Sequence, residues 1–236
     1  MSTATQSQHW EYTINEWKSQ HLQIYLSTIF KNNDIKVIYD IGANVGGTTY
    51  IFTDYCNNNN INIEKIYCFE PDIDNINYLK YKLNKDIENN KIICVNTGIY
   101  YGKTEAKVFG AGHCSHNRIH PNVGGYGIEE CMIEIVDKRN KNGEEIFCAQ
   151  VDNKVFKLDT LENLCIDFLE PDFIKIDVEG AEKNILKHSN LIKKAKFIIL
   201  EWNHGSLEDF LINYLPEFEI ISSTCDFLLK NKSYKY

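Results

Sequence analysis

The chain has 236 residues, 25 basic against 33 acidic side chains, a formal charge of −8 and 43% hydrophobic residues. This length supports one substantial core and a single domain over residues 1–236, and the acidic balance offers no global field to draw the protein onto nucleic acid or an anionic membrane. Eight cysteines stand singly with no Cys-x-x-Cys pair, which fits a reducing, cytoplasmic compartment better than a disulfide framework.

Residues 1–8 show no apolar pattern and are expected to be disordered. They lack the basic and apolar regions of a leader, and no apolar run in the chain reaches membrane-spanning length. Between residues 10 and 30, Trp10, Ile14, Trp17, His21, Ile24, Tyr25 and Ile29 recur at helical intervals. This predicts one or two amphipathic helices lying on the following sheet, so that residues 1–34 form a helical extension.

Val37-Ile38-Tyr39 reads as a strand, followed by Asp40-Ile-Gly42-Ala-Asn44-Val-Gly46-Gly47 and a helix over residues 47–56. Gly42 and Gly46 permit a turn in which backbone approaches a bound group closely, and Asn44 is suited to bond within its own turn. The Gly-x-Asn-x-Gly-Gly spacing is not the dinucleotide fingerprint, and Asp40 at the strand end repels a pyrophosphate. An acid there suits a ligand that carries an amino group. A second strand over residues 65–70 ends in Glu70, 30 positions beyond Asp40, as one strand-helix-strand step requires. An acid at that place can accept hydrogen bonds from ribose hydroxyls. A helix over residues 74–84 leads to a third strand over residues 91–96, whose terminal Asn96 either reaches a base edge or turns the chain.

Residues 99–158 read as strands and loops, with strands expected at 106–109, 131–136, 145–150 and 154–158. The Gly- and His-bearing stretch from residue 110 to 127 belongs outside the core, and such loops form recognition surfaces. His113 and His116 are its candidates for substrate contact. Together with Cys114 and His120 they match no zinc spacing, so no metal site is assigned. Thr160 or Asp159 caps a short helix. Phe173, Ile174 and Ile176 then form a fourth core strand, with Asp177 and Glu179 at its end and Gly180 turning into the next helix. Acids so placed project into the crevice where parallel sheets bind ligands. Lys175 either faces that crevice or pairs with a carboxylate, according to strand parity. Residues 196–201 repeat the pattern and end in Glu201-Trp202. Ser206 caps a helix over residues 207–215, and residues 218–222 and 226–229 form an antiparallel pair at the edge of a largely parallel sheet.

With YDIGANVGGTT (39–49), FEPD (69–72), LDTL (158–161) and DFIKIDVEGAE (172–182), the sequence resembles the FkbM-like family of S-adenosylmethionine-dependent methyltransferases. The resemblance spans about residues 37–202, and its last segment is the narrowest. It implies an α/β, three-layer Rossmann-like class I methyltransferase fold, with S-adenosyl-L-methionine as cofactor and S-adenosyl-L-homocysteine as product. It also implies methylation of a hydroxyl on a sugar, glycan or related small molecule. Carried over position by position, Asp40, Gly42, Asn44 and Gly46 surround the methionine part, with Asp40 meeting its ammonium directly or through water, and Glu70 holds the ribose. Asp177 and Glu179 face the transfer cleft, while Glu201 and Trp202 complete the pocket wall.

Methyl transfer to an alcohol needs a group able to take the hydroxyl proton, and Asp177, Glu179 and His204 are the candidates in that order. A divalent ion on Asp177, Glu179 or Glu201 is compatible with this chemistry but not indicated. A dehydrogenase conflicts with Asp40, and a nucleic-acid methyltransferase lacks a basic track. A protein methyltransferase and a non-catalytic cofactor-binding protein remain as further alternatives.

Overall fold

The structure is a computed structural model that describes residues 3–18, 20–32, 34–109, 127–128, 155–178, 180–202, 204–223 and 226–235. Helices α1 (Thr3–Trp17) and α2 (Gln20–Ile29) precede β1 (Val37–Ile41). Then α3 (Gly47–Asn58) leads to β2 (Lys65–Phe69), and α4 (Ile73–Lys82) with α5 (Asn84–Glu88) leads to β3 (Ile92–Val95). The short strands β4 (Gly98–Ile99), β5 (Glu105–Phe109), β6 (Gly127–Ile128) and β7 (Val155–Asp159) follow. The chain continues through α6 (Leu161–Leu164), β8 (Phe173–Ile176), α7 (Glu182–His188), β9 (Phe197–Leu200), α8 (Leu207–Tyr214), β10 (Phe218–Ser223) and β11 (Phe227–Asn231).

The main sheet has the order β10-β11-β9-β8-β1-β2-β3. Its neighbours from β9 to β3 are parallel, and β11 runs antiparallel to both β9 and β10. β1, β8 and β9 are buried at every position because both sheet faces are covered, which is why they read as unbroken apolar runs. One face buries Tyr39, Ile41, Ile174, Ile176 and Leu200 against α6, α7 and α8. The other buries Ile38, Ile66, Phe173 and Ile199 against the helices from α1 to α4. Each fully buried aliphatic or aromatic side chain of this kind contributes about 1.5–3 kcal/mol relative to exposure.

Local chemistry sets the helix starts. Asp72 accepts from the Asp74 N–H at 2.8 Å to cap α4, Thr160 from the Asn163 N–H at 3.2 Å to cap α6, and Ser206 from the Asp209 N–H at 3.2 Å to cap α8. One expectation is corrected at the N-terminus, where α1 begins at Thr3 and residues 3–8 are helical. Gln6 is buried and donates to the Asp74 carbonyl at 2.9 Å. A polar anchor of that kind leaves no apolar periodicity to read.

A second sheet, ordered β4-β7-β5-β6, lies within the 99–158 region. Its two-residue strand β4, parallel to β7, is too short for any pattern to announce. The strands expected at 131–136 and 145–150 lie outside the described residues, as do His113, His116 and Glu179. No helix among the described residues is long and apolar enough to cross a membrane.

Candidate active site

Register builds the site. Ile41 pairs with Phe69 and Ile176, Phe69 with Val95, and Leu200 with both Ile176 and Phe227. One position further along each strand, Asn96, Glu70, Gly42, Asp177, Glu201 and Asp226 therefore fall on a single row at the carboxyl ends of the parallel strands. Backbone bonds continue the ladder into that row, from Gly42 N to Phe69 O, Asp177 N to Ile41 O and Glu201 N to Ile176 O. Strand alternation gives the row the face that carries α1 and α3. Asp226 was not legible beforehand. It immediately precedes the reversed strand β11, whose start rather than its end lies at the crevice.

Beneath this row, Asp40 is paired across the sheet with Lys175. The Lys175 ammonium is buried and donates to the Gly42 carbonyl at 3.0 Å, with Asp177 Oδ2 at 3.1 Å and Asp40 Oδ1 at 3.6 Å. Strand parity thus resolves Lys175 as a carboxylate partner. Asp40 is fully buried and its Oδ2 accepts from the Thr49 hydroxyl at 2.6 Å. The structure places Asp40 beneath the turn, held by Thr49 and beside Lys175. Burial raises its pKa, against the opposing pull of Lys175 and Thr49. Burial alone would lower that of Lys175, but the charges of Asp177 and Asp40 outweigh it and hold the ammonium firmly protonated.

Asp177 is the accessible member, its side chain 40% exposed. Desolvation pushes its carboxyl up, but Lys175 and a hydrogen bond from Glu201 outweigh this and leave it below the usual range. Asp226 goes the other way, pushed up to about 6 by burial and by the Asp177 charge.

The glycine turn packs against the same row. Gly42 has φ +82°, and a Cβ there would lie 1.8 Å from the Asp177 carbonyl oxygen; Asn44 has φ 49°. The close approach read from sequence is thus to the neighbouring strand. Glu70 ties the turn to β2, its Oε2 accepting from Asn44 N–H at 3.0 Å and its Oε1 from Asp72 N–H at 2.9 Å. Burial raises Glu70 to about 7 despite these donors. Asn96 donates to the Glu70 and Pro71 carbonyls at 3.0 and 2.9 Å, so it turns the chain, the second of its two expected roles. α1 lies over the turn, with His9 Nε2 3.0 Å from Asn44 Nδ2.

Trp202 departs from its expected place in the pocket wall. It is a core side chain packed on Phe210, with Nε1 donating to the Gly205 carbonyl at 2.9 Å. His204 Nε2 meets Glu182 Oε2 at 2.8 Å, a partner that sequence reading did not assign. No three His, Cys, Asp or Glu side chains among the described residues are grouped to hold a metal ion.

A sheet of this strand order, with its acids gathered at the carboxyl ends and one reversed strand next to the edge, defines a class I methyltransferase fold. The methyltransferase FkbM domain matches residues 40–229, and the chain belongs to that family of S-adenosylmethionine-dependent enzymes. The crystal structure of the FkbM methyltransferase from Methylobacillus flagellatus KT superposes with a TM-score of 0.50 at 16% identity, over 88% of this chain and 47% of that one. The chain thus spans about half the length of that relative. A putative caffeoyl-CoA O-methyltransferase from Staphylococcus aureus gives 0.47 at 10% identity, over 90% and 83% of the two chains. The S-adenosylhomocysteine-bound methyltransferase PaMTH1 of Podospora anserina gives 0.46 at 12%, over 98% and 88%. No curated protein is similar enough to this chain to count as a relative.

Proposed function

We propose that the chain transfers the methyl group of S-adenosylmethionine to a hydroxyl oxygen of a sugar, glycan or related small molecule. The observation that carries this reading is the row of carboxylates at the crevice, in which Asp177 is ionised and open on one side. Such a row of oxygen-bearing side chains is suited to hydrogen-bonding neutral polyhydroxyl compounds.

The donor set fits the cofactor. Carboxylates are acceptors only, suited to an ammonium and to ribose hydroxyls; Glu70 Oε1 is taken by Asp72 N–H and the Asn75 amide, while Oε2, which accepts from Asn44 N–H, retains a lone pair. In this reading Glu70 holds the ribose, Asp177 faces the ammonium, and Gly42, Asn44 and Gly46 shape the turn, with Asp40 and Asn96 supporting it. When bound, the cofactor supplies an electrophilic methyl group on a sulfonium. The protein's task is to align the acceptor oxygen and give its proton a destination. Asp177 and His204 are the described groups able to take that proton, with Glu179 beside them in sequence. Glu201 and the segment bearing His113 and His116 are assigned to the acceptor. Cys56, Cys68, Cys94 and Cys165 are free thiols, which supports placing the protein in a reducing compartment.

Calorimetry with S-adenosylhomocysteine tests the cofactor half. Glu70→Ala is expected to weaken binding at least tenfold, and an unchanged dissociation constant would remove Glu70 from the ribose site. A screen with labelled methyl donor over sugars and nucleotide sugars tests the acceptor half. Failure to label any hydroxyl compound, with cofactor bound, counts against it.

A further inference from the structure

We propose that Glu182 and His204 form the proton-accepting unit of the crevice, with Nδ1 of His204 as the catalytic base and Glu182 as its positioning residue. The inference rests on the hydroxyl-methylation reading above and assigns the proton within it.

Glu182 is the first residue of α7, and its side chain is only 4% exposed. A carboxylate so buried must have its lone pairs filled. Its Oε1 accepts from the backbone N–H groups of Val178 and Gly180, each at 3.1 Å, and its Oε2 from Gly180 N–H at 3.0 Å and from His204 at 2.8 Å. The carboxylate only accepts, so Nε2 of His204 must be the donor. In the neutral imidazole that places the proton on Nε2 and leaves Nδ1 with an open lone pair. No described residue hydrogen-bonds Nδ1.

The surroundings of His204 are simple. The Trp202 ring meets it edge to face at 5.0 Å, and Glu182 is the only ionised group in contact with it among the described residues. A negative neighbour favours the imidazolium that proton uptake creates. The same carboxylate holds the backbone at Val178 and Gly180, just after Asp177. Glu182 thereby ties the backbone that follows Asp177 to a side chain three positions beyond Glu201.

Asp177 is the weaker candidate on geometry. Its Oδ2 is taken by the Lys175 ammonium at 3.1 Å, and it also accepts a hydrogen bond from Glu201. Lone pairs committed to a fixed cation are poor acceptors for a new proton. In the step, His204 Nδ1 takes the hydroxyl proton as an oxygen electron pair forms the O–C bond to the methyl group. The electron pair of the breaking C–S bond remains on sulfur as a neutral thioether. Glu182 stabilises the imidazolium until its proton passes to water.

The test needs no methyl donor. Long-range 1H–15N spectra of histidine-labelled protein, with the His204 signal assigned by its loss in His204→Gln, report which nitrogen carries the proton. The expected result is a protonated Nε2 and a pyridine-like Nδ1 in the wild type. In Glu182→Gln the amide oxygen keeps the backbone N–H groups and its NH₂ turns to Nε2. The tautomer should then switch to Nδ1–H. With a labelled acceptor, His204→Gln and Glu182→Gln should both lower kcat about 100-fold or more while S-adenosylhomocysteine affinity stays within about threefold. A wild-type His204 protonated on Nδ1, or a tautomer indifferent to Glu182→Gln, overturns the proposal. The wild-type spectrum decides this even where the variant does not fold. An acceptor screen that labels nothing overturns the hydroxyl reading instead and leaves the tautomer result standing.

Discussion

Replacing Lys175 with methionine removes one buried ammonium and leaves two carboxylates without their cation. Asp40 is fully buried, 3.6 Å from the ammonium, and its other oxygen has only the Thr49 hydroxyl. Asp177 is 3.1 Å away but 40% exposed, so water can replace much of what it loses. Breaking a buried ion pair from one side costs about 3–5 kcal/mol, and most of it here should fall on Asp40. Set against a typical stability of about 5–15 kcal/mol, the variant should be folded but weak. Urea unfolding at pH 7.5 measures the loss. At pH 5.5 the loss should shrink, because without Lys175 the buried Asp40 takes up a proton in the folded state and stability then rises as pH falls. Adding Asp40→Asn to the Lys175→Met chain should recover about 1–3 kcal/mol, since an amide leaves no buried charge. A loss under about 1 kcal/mol at pH 7.5, or no recovery in the double variant, would refute the argument that Lys175 neutralises Asp40.

Gly42→Ala should destabilise the protein by about 2–5 kcal/mol, combining left-handed strain with overpacking, because its methyl would lie 1.8 Å from the Asp177 carbonyl oxygen. A shift of the urea midpoint measures this, and a midpoint within error of wild type contradicts it. Asp226 is raised to about 6 from an ordinary 3.8, so its folded carboxyl keeps a proton that the unfolded chain releases. Its contribution is therefore present below about pH 4 and lost as pH rises to about 6, by up to roughly 3 kcal/mol. Asp226→Asn should flatten that part of a melting-temperature profile, and identical slopes in the two proteins would exclude the effect. Glu70, raised to about 7, should extend the same downward slope toward neutral pH in the wild type.

Much of the crevice was legible because strand parity and turn chemistry are short-range properties. Asp40, Glu70, Asp177 and Glu201 announce themselves as acids closing apolar runs, and Gly42 and Asn44 as residues of a turn. The main-sheet strands, their largely parallel order and the caps at Asp72, Thr160 and Ser206 follow from the same local signals. What could not be read were partners. Lys175 carries no mark that it meets Asp40, because their pairing depends on the register between strands more than a hundred residues apart in sequence.

By itself, then, the sequence determined an α/β methyltransferase fold, the row on which its acids sit and the turn that closes against them. Alternation and backbone geometry depend on neighbouring residues alone. Tertiary structure decided which acids are exposed. It buried Asp40, left Asp177 open, brought in Asp226 from a reversed strand, and moved Trp202 from pocket wall to core. It also set Glu182 against His204. Ionisation and hydrogen-bond roles depend on burial and on groups distant in the chain, and only the packed sheet with its loops fixes those.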